Sequence, residues 1–376
     1  MPTIPTIINE IINIIFFAGI VQGFYSAFLL THTKLRNPAN NYLAILLVIL
    51  SISIIHSVFA IPYFSQYHNT TFHIKEPLLL LVVPFLWFYV KKLSEPDFKF
   101  CRKHFLHFIP FLIVLVCSIL LLTKHSETSD SQRFYSYTFV VNIILYIIAV
   151  GQYVFYMVYI LRLIGIFKQK ALNELSNTEY IDPTWLRIFL FTFFAVFLML
   201  VLMMVIAIHK LEVTYFNQIV SLIFALAIYV LGYKGLFQQT LISREIEIPS
   251  KIIESTDKEA TPIQLDDQLL KKLIDFMKSS KPFSDPELTL TSLALQLEMG
   301  RNQLSELINK GTEGNFYDFV NKYRVEEVKQ LMENSKYKDY TILAIAYEAG
   351  FPSKSTFNSI FKKFTGLTPS EYRNRL

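Results

Sequence analysis

A chain of 376 residues has room for two domains of ordinary size, and its composition says that they differ in kind. It is 53% hydrophobic, yet its charges crowd into the last third, so the long apolar runs before about Leu241 exclude a uniformly soluble protein. A net charge of +5 is too modest to argue for nucleic acid by amount alone, and two cysteines, Cys101 and Cys117, exclude a disulfide framework and sit in no metal-ligand spacing.

At the N-terminus there is no basic leader, Glu10 interrupts the apolar run, and no small-residue cleavage site follows. The first segment is therefore expected to stay as a membrane helix rather than be removed as a signal peptide. Crossing a bilayer core of about 30 Å takes roughly 20 helical residues. Seven stretches approach that length: 11–30, 42–61, 77–90 with its flanks, 105–122, 139–161, 185–208 and 215–233. The third is the shortest. Including 72–74 brings Lys75 and Glu76 to the interface, where long side chains snorkel.

The Lys/Arg bias of the short loops gives an orientation. Loops after segments one, three and five carry Lys34 and Arg36; Lys91, Lys92, Lys99, Arg102 and Lys103; and Arg162, Lys168, Lys170 and Arg187. Those after segments two, four and six carry only Lys75; Lys124 and Arg133; and Lys210. This places the N-terminus outside and the C-terminal domain in the cytoplasm, the expected topology of a multi-pass membrane protein. The outer loops are too short for a folded domain, so anything the apolar half recognises has to reach the bundle itself, a lipid-facing groove or a partner protein.

Tyr42, Trp87, Tyr89, Trp185, Tyr215 and Tyr233 fall near segment ends and suit interfacial belts. His104 and His107, or His68 and His73, offer two ligands without a third or fourth, so neither a metal site nor any cofactor is expected. Within the spans His56, Asn142, Gln152 and Gln218 suit either a cavity lining or hydrogen bonds between helices, and both readings stay open.

Residues 1–240 thus read as a transmembrane domain, and 241–264 as a linker that mixes charge with Pro249, Pro262, Ser and Thr. From 265 to 376 the pattern is helical. Thr289 caps a helix over 289–298, with Leu290, Leu293, Ala294 and Leu297 on one face, and a break at Met299-Gly300 precedes a second helix over 301–310. So short a joint between helices predicts a helix-turn-helix. A long amphipathic helix over 316–334 follows, and then the pattern returns. Thr341 caps 342–349, Gly350 breaks it, and Ser353 caps 354–364 with Phe357, Ile360, Phe361 and Phe364 as the inward stripe. Thr368-Pro369-Ser370-Glu371 has the spacing of a capping box and opens a closing helix.

The run Gly350-Phe351-Pro352-Ser353-Lys354-Ser355-Thr356-Phe357, continued by Phe361-Lys362-Lys363-Phe364-Thr365-Gly366-Leu367-Thr368-Pro369-Ser370-Glu371-Tyr372-Arg373, resembles the signature of the AraC/XylS family of transcription regulators. The resemblance covers about 265–376 and includes Tyr323-Arg324-Val325. Leu86-Trp87-Phe88-Tyr89-Val90-Lys91 and His107-Phe108-Ile109-Pro110 are similar to phrases of the multi-spanning sensor region on some such regulators of Bacteroidetes-type bacteria. It implies an all-α chain, a seven-helix transmembrane bundle followed by a cytoplasmic helical domain with two helix-turn-helix units. The second helix of each unit would enter a major groove of double-stranded DNA.

By that resemblance Arg301, Asn302, Gln303 and Ser305 are the reading candidates of the first unit. Ser353, Lys354, Ser355, Thr356, Asn358 and Ser359 are those of the second. Lys362, Lys363, Arg373 and Arg375 suit phosphates, and the part after Tyr340 is clearly basic. The first unit departs from the family pattern. Glu298 replaces the usual turn glycine and Glu306 a common basic residue, so the second unit is expected to supply more affinity.

No kinase, phosphoacceptor, phosphate-loop or nucleophile motif occurs, so the chain is read as a non-enzyme. Its expected partners are DNA, the lipid bilayer, a second copy in a homodimer, and a small or lipophilic signal. The alternatives are a membrane transporter or enzyme with a regulatory helical domain, or a C-terminal domain that binds protein. Acidic residues are almost absent from the spans, which speaks against the first of these.

Overall fold

The computed structural model describes residues 4–32, 37–60, 75–95, 97–127, 131–178, 184–208, 216–246, 267–312 and 314–376. Lys34, Arg36, His68, His73, Lys210 and the linker from residue 247 onward lie outside them. Two compact units emerge, one of Met1–Ile166 with Pro183–Glu245, the other of Phe167–Asp182 with Ile246–Leu376.

The first unit contains α1 (Ile4–His32), α2 (Asn40–Ile55, continued by a π turn, His56–Ala60) and α3 (Lys75–Ser94). A 3-10 turn, Arg102–Phe108, then leads into α4 (Ile109–Glu127). The body of α5 (Ser131–Glu174), α6 (Thr184–Ile208) and α7 (Phe216–Ile246) complete it. Six described stretches are long and apolar enough to cross a membrane: Asn9–His32, Asn40–Val58, Pro77–Ser94, Arg102–Leu120, Ile147–Glu174 and Gln218–Leu236. The expected crossing over 185–208 is helical as α6, but its described apolar run, Thr184–Met199, is shorter than these.

Large apolar side chains lie on both sides of these helices. Leu30, Leu43, Leu50, Val82, Phe88, Ile160 and Phe224 are buried together, while Phe17, Phe28, Leu112, Leu120, Ile147 and Leu226 are exposed. Water would penalise such an outer surface and lipid does not. Small residues let α1 approach its neighbours: a Cβ on Gly23 would lie 2.0 Å from Ser51 Oγ.

Gln152 Nε2 donates to the Leu80 carbonyl at 3.1 Å, and Tyr153 donates to that of Leu190 at 2.8 Å, so at Gln152 the helix-to-helix role is realised. Trp87 and Tyr89 depart from the belt reading. Both are buried, Trp87 among Phe88, Phe98, His104, His107 and Tyr156, and Tyr89 beside Trp185. Leu86 to Val90 are buried without a break, so this end of α3 is packed on all its sides and both rings are enclosed although they point to opposite faces. His107 Nδ1 shares a hydrogen bond with the Tyr156 hydroxyl, and Cys101 N–H donates to His104 Nδ1 at 3.0 Å.

The second unit adds α8 (Asp267–Ser280), a 3-10 corner (Pro282–Ser284), α9 (Leu290–Gln296), α10 (Arg301–Gly311) and α11 (Phe316–Glu333). After another 3-10 turn, Ser335–Tyr337, come α12 (Ile342–Glu348), α13 (Lys354–Thr365) and α14 (Pro369–Arg373). It holds two main cores. Leu273, Phe283, Leu293, Leu304, Ile308 and Val320 belong to the first, and Val325, Val328, Ile345, Phe351, Phe357 and Phe361 to the second. α11 serves both, its first half packing on one and its second half on the other. The end of α5 from Phe167 onward belongs to this unit as well.

Candidate nucleic-acid interface

Two local solutions to one problem, a helix stopping and another starting a few residues on, recur in the second unit. In the first, Thr289 Oγ1 accepts from Ser292 N–H at 3.1 Å while Ser292 Oγ accepts from Thr289 N–H at 3.0 Å, a reciprocal cap on α9. α9 ends as Met299 N–H donates to the Ala294 carbonyl at 2.9 Å and Glu298 N–H to that of Leu295 at 3.2 Å. Glu298 takes the left-handed conformation this stop requires, with φ of 57°.

The second turn repeats the scheme. Thr341 Oγ1 accepts from Ala344 N–H at 3.1 Å, Phe351 N–H donates to Ala346 and Gly350 N–H to Tyr347, both at 3.0 Å. Gly350 has φ of 89°. The residue after each left-handed position, Met299 or Phe351, is buried and anchors the turn. α10 and α13 are thereby the second helices of matched units, beginning at Arg301 and Lys354.

The stripes Leu304, Leu307, Ile308 and Phe357, Ile360, Phe361 are buried, which leaves the opposite faces outward. On α10, Asn302 is exposed, while Arg301, Gln303 and Ser305 are half-buried. Arg301 donates from Nη2 to Glu174 Oε1 at 2.6 Å and from Nη1 to Asn302 Oδ1 at 3.2 Å. Ser305 Oγ accepts from Asn309 Nδ2 at 3.5 Å, and Lys310 pairs with Glu306 on the same helix.

On α13, Lys354, Ser355, Asn358, Ser359 and Lys362 are exposed, and Thr356 is half-buried. Ser353 is a cap, its Oγ accepting from Thr356 N–H at 3.3 Å. Lys363 is bound to Asp318 Oδ1 at 2.6 Å. Arg373 donates to the carbonyls of Tyr340 and Lys338 at 2.7 and 2.6 Å, tying α14 to the loop before α12. Lys354 and Lys362 therefore present the open charge of this face, without an ion pair among the described residues.

Two features escaped the sequence reading. Arg324 is fully buried in α11, and all five of its N–H groups find acceptors. Nε donates to Phe283 O at 2.8 Å, Nη1 to Ser176 O at 3.1 Å and Asn321 Oδ1 at 3.3 Å, Nη2 to Ser176 Oγ at 3.0 Å and Asp285 O at 2.7 Å. Burial pulls its pKa down to about 10, offset by the negative charge of Asp285 and by Tyr317, so the group is a cation at neutral pH. The second feature is the placement of Glu174 and Ser176, which precede Arg301 by more than a hundred residues. The one signal for it is the length of α5, 44 residues, or roughly 65 Å of helix, about twice a bilayer core.

The helix-turn-helix domain family model matches residues 293–375. The melibiose operon regulatory protein of Escherichia coli strain K12 is 29% identical over 89 residues, 24% of this chain and 28% of its own length. The uncharacterized transcriptional regulatory protein YesN of Bacillus subtilis is 34% identical over 93 residues, 24% of this chain and 25% of its own. Histidine kinase P4 of Formosa agariphila is 29% identical over 120 residues, 32% of this chain but 8% of that protein. A solved protein of unknown function from Listeria innocua, 27% identical, aligns over 28% of this chain and 96% of its own with a TM-score of 0.25. This chain spans less than a third of the length of each of these three curated relatives. The family model over residues 293–375 and these regulatory relatives make its C-terminal part an AraC-type helix-turn-helix domain, on a chain whose other unit is a set of apolar helices of membrane-spanning length.

Proposed function

We propose that this chain is a membrane-embedded one-component transcriptional regulator. Residues 1–240 sense a signal in or at the membrane, 241–264 connect, and 265–376 bind specific DNA. The N-terminus lies outside and the DNA-binding domain in the cytoplasm, as the loop charges favour. The observation that carries the reading is the pair of matched turns, each followed by a helix with a buried apolar stripe and an outward polar or basic face.

In this reading α10 and α13 enter successive major grooves on one face of the duplex. Asn302, Gln303, Ser305, Ser355, Thr356, Asn358 and Ser359 offer base-edge donors and acceptors, and Lys354 and Lys362 meet phosphates. α13 supplies the larger share, because the charges of α10 are already paired. Two copies in one membrane would meet paired operator sites at high effective concentration, which favours a homodimer. The signal is a small or lipophilic molecule, and no reaction is catalysed.

The test is genome-wide crosslinking and sequencing of DNA bound by the full-length protein beside a Lys354→Ala, Lys362→Ala variant. Sharp peaks lost in the variant are the expected result, and they name the target genes. No peaks, from protein that is folded and inserted, would sink constitutive DNA binding and turn attention to a protein partner.

A further inference from the structure

The stretch from Phe167 to Thr178 is more than a connection between helices. Ala171 and Leu175 are buried, and Leu175 pairs with Thr289 in an isolated antiparallel bridge. Ser176 is fully buried, and its groups are engaged one by one. Its N–H donates to Leu288 O at 3.2 Å, its carbonyl accepts from Asn321 Nδ2 at 3.2 Å and from Arg324 at 3.1 Å, and its hydroxyl accepts from Arg324 at 3.0 Å. Two residues earlier, Glu174 grips Arg301, the first residue of α10.

We propose that this stretch is a built-in partner of the first helix-turn-helix unit. While seated, it holds Arg301 on Glu174, so that DNA and Glu174 compete for one guanidinium. The proposal rests on the DNA-binding reading above.

The contact divides into two parts of different strength. Ser176 is fully buried and two of its bonds come from the charged Arg324, so these contacts fix the seat. The Glu174–Arg301 pair is open to solvent, with half of the Glu174 side chain and 30% of that of Arg301 exposed. Such a pair is worth little and yields to a better anion. A phosphate is one, and the N-terminal end of α10 favours any anion placed there. Among the described residues Lys354, the matching residue of α13, carries no such cover, so the device acts on the first unit. Since the stretch continues α5, a stimulus acting on the apolar helices has a covalent route to the seat, and the Glu174–Arg301 pair carries it on to the first reading helix.

The test uses the full-length protein in nanodiscs and a pool of random-sequence duplexes. Glu174→Gln should tighten binding about fivefold, the scale of one exposed pair. It should also steepen the salt dependence by about one released counterion, because Arg301 becomes available to a phosphate. Glu333→Gln removes the same charge from an exposed position at the end of α11 and should change neither.

In a second arm, Leu175→Cys with Thr289→Cys, in a Cys101→Ser, Cys117→Ser background, should form a disulfide in membranes, since bridge partners lie within the Cα separation a disulfide spans. Equal effects of Glu174→Gln and Glu333→Gln would overturn the competition. Absence of the crosslink would overturn the seat. No duplex binding by any form, with the crosslink present, would sink the DNA-binding reading and the competition with it.

Discussion

Arg324 donates to both the carbonyl and the hydroxyl of Ser176, two atoms of one buried residue. The remaining three N–H groups of the same guanidinium reach the corner at Phe283 and Asp285 and the side chain of Asn321. One cation thus fastens α11, where it passes from the first core to the second, to the corner before α9 and to the residues just past α5. A buried charge is tolerated when all its hydrogen-bonding capacity is used, and here it is.

Arg324→Lys should loosen this junction. Lysine offers three donors in place of five, so at least two buried acceptors lose their partner, at about 1–3 kcal/mol each. Amide exchange at Val325 and Val328 in the full-length protein should accelerate to match a loss of roughly 2–6 kcal/mol. Exchange protection unchanged from the parent would show that water replaces the missing donors. The folded pKa of Arg324 is depressed, so its titration favours the fold only as pH rises through about 10, and protection corrected for intrinsic exchange should stay flat around neutrality.

The two turns differ at their left-handed residue, and they should respond in opposite directions. A Cβ on Gly350 would lie 2.3 Å from the Phe283 carbonyl oxygen and 2.8 Å from Ser284 backbone, besides requiring φ of 89°. Gly350→Ala should therefore cost about 2 kcal/mol or more. Glu298 already bears the left-handed penalty of about 1–2 kcal/mol, and Glu298→Gly should recover about 0.5–1 kcal/mol of it after the entropic cost of glycine. Local opening energies from amide exchange in α9 and α12 compare the two directly.

Positive charge on α13 should divide into open and engaged groups. Lys354→Ala and Lys362→Ala should each weaken binding to all duplexes and lower the salt slope by about one. Lys363→Ala first has to break its pair with Asp318, so its effect on affinity should be smaller. Arg373→Ala should act chiefly by freeing the loop at Lys338 and Tyr340, seen as local loss of amide protection rather than as a changed salt slope.

The cap of α14 should respond to acid. Glu371 accepts from the Thr368 N–H and hydroxyl, both at 2.8 Å, and the backbone bond above all holds its pKa below the ordinary 4.5. With the folded pKa depressed, the contribution is complete above the unfolded value and fades as pH falls through the folded one. Amide protection in α14 should thus decline below about pH 4.5, and Glu371→Gln should flatten that decline.

Much of the second unit was legible in its residues. Thr289, Thr341, Ser353 and Thr368 each cap the helix that the spacing assigned to them, because a side-chain cap satisfies backbone donors within three residues. Glu298 stands out as the residue without a glycine's freedom at a turn that demands it, and its φ bears this out. Apolar runs marked the helices of membrane-spanning length, though not that the end of α3 is packed on all sides: Trp87 and Tyr89 stand near a segment end, where belts form, and neighbouring helices bury them.

What the sequence by itself determined is whatever depends on neighbours a few residues apart: the helices, their caps, the two turns and the apolar length of the spans. The tertiary structure alone decided which charges are open and which are engaged. Arg301 and Lys354 are equivalent by local pattern, yet one is held by Glu174 and the other is exposed. The physical reason is range. Hydrogen bonds to a cap close within one turn, whereas Glu174 at the end of α5 and Ser176 just past it meet Arg301 and Arg324, and only the packed chain brings residues so distant along the sequence to within 3 Å.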